Sequence, residues 1–280
     1  MATPARVERL LRPFGTLIER MVSVGLISSG IILAAQTFLA LIPLLMVATA
    51  LLPADAAGGV QQAMRDRLGL SGTTDAAVSQ LIKTRAELQG GLTVFGLLVV
   101  FASATSFTRA LQRVYELAWG LPRLGIRASL RGLAWLLAVV AYLAVLGTAI
   151  RFAGAGVPGT LLRSVLATSG AVLLWWWTPY VLLVGRVRAR ALVAGGVLTA
   201  VAQLVVGAIG SVYLPRSVRT NERQFGTIGV VFAIESWLVV VSCVIVGCAV
   251  IAAVAAQTDG PIGRLCRGTA DPEGWRRPQA

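Results

Sequence analysis

Six stretches of this 280-residue chain are apolar all round and long enough to cross a bilayer, and that pattern restricts the fold more than any motif. They cover residues 26–52, 92–108, 133–150, 165–184, 191–212 and 227–256. A large soluble helical core would need amphipathic helices to face water, and these runs carry no polar stripe. With 56% hydrophobic and 13% charged residues, the chain reads as an all-α polytopic membrane protein of six transmembrane helices. They form one transmembrane domain over 26–256, followed by a polar tail, 257–280, expected to be disordered and cytoplasmic.

In residues 1–25, Val7, Leu10, Leu11, Phe14, Leu17, Ile18 and Met21 recur at helical spacing among Arg6, Arg9, Arg12 and Arg20. That pattern predicts an amphipathic interfacial helix rather than a cleaved leader. Residues 53–91 carry two short amphipathic stretches, Val60–Met64–Leu68 and Val78–Leu81–Ile82–Ala86, broken between Gly69 and Gly72. They predict an extracytoplasmic helical hairpin, either a lid or a plain connector.

Orientation follows from the basic residues. With the N-terminus inside, sixteen of the 25 Lys and Arg fall on the cytoplasmic side and nine outside. The positive-inside rule then places both termini in the cytoplasm. The net charge of +13 is dispersed over many segments, so it points to anionic lipid headgroups as partners and not to nucleic acid.

The helix predicted from 92–108 runs without a breaker into 109–120. There Arg109, Gln112, Arg113 and Glu116 share one side, so this part is expected to leave the membrane as helix and lie along or just below the cytoplasmic surface. The run A-L-Q-R-x-x-x-x-A-W-G at 110–120 resembles the YihY/BrkB family of bacterial cytoplasmic-membrane proteins, some of which have carried a ribonuclease label. Phe38–Leu44, F-x-A-L-x-P-L, is a second match. Phe225, Gly226, Gly229 and Trp237 are similar to the family's opening of the sixth span. The resemblance extends over nearly the whole chain. It implies an integral inner-membrane protein linked to envelope integrity. One departure is plain: many relatives end the sixth span with Gly–Ala–Glu, whereas Gly247, Cys248 and Ala249 stand here without an acid.

Polar residues inside the runs are the candidate site. Glu235 stands about 12 Å into the last span at 1.5 Å per residue. It is either a proton site or counter-charge, or a packing residue that is neutral or salt-bridged. Gln36, just before the expected Pro43 kink, is interhelical glue or a cavity lining, and Gln203 is a lone amide in the fifth run. Ser103 and Ser106 stud the second run. Arg109, Arg113, Arg186, Arg188 and Arg190 form a cationic collar. Of Trp175, Trp176 and Trp177, at least one is expected to face lipid, because successive helical residues diverge by about 100°. Cys243, Cys248 and Cys266 have no metal-site spacing.

The chain has no His, no clustered carboxylates, no Gly-x-Ser-x-Gly and no phosphate loop. No catalytic residue, metal or cofactor is implied, and a two-metal nuclease has no carboxylates to build from. The expectation is a non-enzyme: a transporter or flippase of an amphipathic anionic envelope component, or a scaffold that uses the same polar residues as glue. A membrane-bound ribonuclease is disfavoured.

Overall fold

The computed structural model describes residues 15–51, 94–125, 127–152, 157–258 and 263–264. The expected hairpin at 53–91, the start of the N-terminal helix and nearly all of the tail lie outside them. Within them the chain is helical: α1 Gly15–Val24, α2 Leu26–Leu51, α3 Val94–Trp119, α4 Arg127–Phe152, α5 Val157–Leu182 and α6 Ala189–Gln257. Three helices hold segments long and apolar enough to cross a membrane: Arg131–Ala149, Pro158–Leu182 and Ala189–Gln257. A bent pair, α1 with α2 as far as Leu41, makes a fourth when read as one span, its two pieces 44° apart at Gly25, whose φ is +63°.

The described residues do not confirm all six of the separate spans expected from hydropathy. α3 carries the second only in its apolar first half, and the fifth and sixth fall within α6. The intervening stretch 213–226, expected as a loop, is helical as far as Phe225. The loop expected at 151–164 is also mostly helix, since α4 runs to Phe152 and α5 starts at Val157. Hydropathy marks where a helix leaves lipid, not where it ends, and these helices outrun the hydrocarbon: 26 residues make about 39 Å.

α6 folds back on itself at one residue. Gly226 has φ 61° and ψ −146°, a non-helical conformation essentially reserved for glycine. Its limbs, 189–225 and 227–257, then pack side by side. Leu214 and Val218 bury against Val230 and Ala233, with Ile234 and Trp237 alongside. The Trp237 indole covers Gly210 and lies 5.8 Å from the Tyr213 ring. This contact keeps 213–225 helical although the segment is too polar to read as membrane.

The chain forms two compact units. Residues 1–30, 108–203 and 243–280 make unit 1, and residues 31–107 and 204–242 make unit 2. The core of unit 1 is the end of α6, where Val246, Val250, Ala253 and Ala256 are fully buried. Small residues allow close approach there, as helix packing in lipid requires. Gly30 lies directly on Cys243, Gly195 on Ala252, and Gly196 on the Trp176 backbone.

Candidate functional site

In unit 1 the collar residues lie on two segments, Arg109 and Arg113 in the second half of α3 and Arg186, Arg188 and Arg190 at the turn between α5 and α6. α3 closes at Gly120 (φ +63°), with Gly120 N–H donating to the Leu117 carbonyl (3.2 Å) and Leu121 N–H to that of Glu116 (2.9 Å). This is a glycine-ended cap that satisfies the last carbonyls. The Arg20 guanidinium lies over Gly120, where a cation meets the negative end of the helix dipole.

The polar side of 109–120 is partly buried. Gln112 is 6% exposed and Glu116 3%. One oxygen, Glu116 Oε1, accepts from Gln112 Nε2 at 2.9 Å, from the Leu124 amide at 3.0 Å and from Arg186 Nη2 at 3.1 Å. Arg186 also donates to the carbonyls of Pro122 (2.8 Å) and Leu183 (3.2 Å). An amphipathic pattern identifies two faces, and here the polar one turns inward where the half-buried Arg186 meets it. Arg186 therefore ties the α5–α6 turn to the end of α3. Val184 in that turn has φ +56°, a left-handed conformation costing a β-branched residue about 1–2 kcal/mol. Leu183 and Val187, both wholly buried, hold the turn in place.

The other collar members are freer. Arg109, Arg188 and Arg190 are exposed and Arg113 is half-buried. Arg188 caps α6 with no side-chain cap bond, and Arg190 lies in its first turn. Cations there oppose the helix dipole by about 0.5 kcal/mol each, so helix stability does not account for them. Gln203 is half-buried. A cavity among Tyr115, Trp119, Trp175 and Thr199 holds about 10 Å³, room for one water at most. Trp175, Trp176 and Trp177 are all half-buried. Trp176 Nε1 donates to the Ala189 carbonyl at 3.0 Å.

In unit 2 the structure joins two of the expected polar residues. Ser106 Oγ donates to Gln36 Oε1 at 2.6 Å, linking α3 to α2. Ser103 is half-buried nearby on α3. Glu235, half-buried on the returning limb of α6, has its Oε2 buried with no hydrogen-bond partner among the described residues. No described cluster of three or more His, Cys, Asp or Glu could hold a metal.

Stacked apolar helices, small-residue crossings and buried polar joints define a multi-pass helical membrane protein. The family model for virulence factor BrkB matches residues 17–265, and the chain belongs to that family. No curated protein and no solved structure matches it.

Proposed function

We propose that this protein is a transporter or flippase of the cytoplasmic membrane that moves an amphipathic, anionic envelope component, with both termini in the cytoplasm. The observation carrying this reading is Glu235. A carboxyl oxygen buried in a membrane helix without a partner costs about 3 kcal/mol, and such a group is kept where a proton or a polar ligand group meets it. The exposed Arg109, Arg188 and Arg190 supply the anion-attracting side, the last two at a helix start that disfavours cations. The protein acts without covalent chemistry on this reading and is not an enzyme.

Proteoliposomes carrying a fluorescent phosphatidylglycerol test it. Wild-type protein is expected to expose inner-leaflet label to an external quencher faster than empty liposomes do. Glu235→Gln is expected to abolish that movement while leaving the melting temperature unchanged. Equal rates with and without protein would end the proposal.

One observation favours a second reading, a non-transporting scaffold that supports envelope integrity. The Gln36–Ser106 bond supports it, since it ties α2 to α3 as interhelical glue would. Rescue of an envelope defect by Glu235→Gln protein that moves no lipid would select the scaffold.

A further inference from the structure

The turn end of α6 carries a charged stripe on the stretch between the fifth and sixth apolar runs. On the outgoing limb Val205, Ile209 and Val212 are exposed, and Arg216, Arg219 and Arg223 continue the same exposed line. Steps of three, four and seven residues hold all six within about 40° of one helical direction. Tyr213, also exposed, stands where the stripe changes from aliphatic to cationic, the position aromatic residues take at a membrane–water boundary.

The returning limb fixes the same level independently. Ile228, Val231 and Phe232 are exposed there. The Leu214–Val218 contact with Val230 and Ala233 sets these side chains beside residues 214–221. Exposed aliphatic and aromatic groups on one limb therefore reach the height at which arginines begin on the other. A surface of that composition belongs to the zone between hydrocarbon and water. Arg216 to Arg223 spans about 10 Å, against a headgroup layer of about 5–7 Å on each side of the bilayer. Glu222 is the one acid in 213–228, so the segment keeps an excess of positive charge.

We propose that Arg216, Arg219 and Arg223 form a binding site for anionic phospholipid headgroups in the leaflet at the Gly226 end of α6. Guanidinium groups one turn apart present paired donors to phosphodiester oxygens, and the adjoining Val212, Tyr213 and Phe232 surface accommodates the acyl chains. The site lies outside the candidate transport residues and stands whether or not the protein moves lipid.

Native mass spectrometry of the full-length protein, titrated with phosphatidylglycerol or phosphatidylcholine, tests this. Arg216→Ala/Arg219→Ala/Arg223→Ala is expected to lower retained phosphatidylglycerol at least about five-fold, the effect of a single basic residue at an anionic surface. Retained phosphatidylcholine stays the same. Unchanged phosphatidylglycerol retention in the folded triple variant would overturn the site. Should that variant not fold, a bimane on Thr220→Cys, in otherwise cysteine-free protein in nanodiscs, reads the site with its arginines intact. Headgroup-spin-labelled phosphatidylglycerol is expected to quench it more than labelled phosphatidylcholine, and the difference to shrink at high salt. Equal quenching by the two lipids would refute the proposal.

Discussion

Arg186 reaches Glu116 across 70 residues of sequence, Nη2 to Oε1 at 3.1 Å, and the carboxylate it meets is almost wholly buried. The pair joins two segments that hydropathy treats as unrelated cytoplasmic loops. Removing one partner of such a pair strands the other charge. Arg186→Ala is expected to destabilise the protein by about 3 kcal/mol, read as a lower midpoint in thermal unfolding in detergent. Arg186→Lys should recover only part of this, because one ammonium cannot serve the carbonyls of Leu183 and Pro122 and the carboxylate together. A midpoint for Arg186→Ala equal to wild type would show that the pair contributes nothing.

Two glycines of the outgoing limb of α6 should respond oppositely to alanine. A methyl at Gly196 would lie 2.7 Å from Trp176 Cα and 2.8 Å from its N, whereas Gly207 has open space around it. Backbone cannot step aside as a side-chain tip can. Gly196→Ala is therefore expected to cost about 1–3 kcal/mol. Gly207→Ala should be neutral or slightly stabilising, by the ordinary helix preference for alanine. The order of the two unfolding midpoints decides the matter.

Gly226→Ala isolates backbone conformation from packing, since nothing lies within 4 Å of the methyl it would add. The expected cost is about 1–3 kcal/mol. Calorimetry or denaturant unfolding that finds no loss would mean that the turn adopts another conformation without penalty.

The two ends of the outgoing limb should label from opposite sides. In cysteine-free protein in intact cells, a membrane-impermeant maleimide is expected to reach Thr220→Cys directly and Arg188→Cys only after permeabilisation. The reverse pattern would invert the proposed orientation while leaving the fold as described.

Much of this was readable from residue order, and the shortfalls have physical causes. Apolar runs announce helices because lipid leaves backbone groups no other partner, so the elements were legible even where their ends were not. Residues 213–225 fall between two apolar runs because hydropathy measures solvent preference. The helix there persists through Leu214 and Val218, whose contacts with Val230 and Ala233 are visible only once the chain has turned. The stretch 110–120 buries the apolar Leu111, Ala118 and Trp119, as an amphipathic pattern implies, and the polar Gln112 and Glu116 as well. Its polar face hides because its partner, Arg186, is distant in sequence. Glu235 and the Gln36–Ser106 bond were accessible as candidates because a polar group in an apolar run stands out unaided.

The single-residue turn at Gly226 also bears on how the chain enters a membrane. Unbroken, α6 would be a rod of about 100 Å at 1.5 Å per residue. Folded, it is an even element that contributes no net crossing. Whatever precedes Ala189 and whatever follows Gln257 must then emerge on the same face. The side of the C-terminus is decided before the first residue of α6 is synthesised. A substitution that opened the turn would alter the topology of everything downstream as well as the stability of one hairpin.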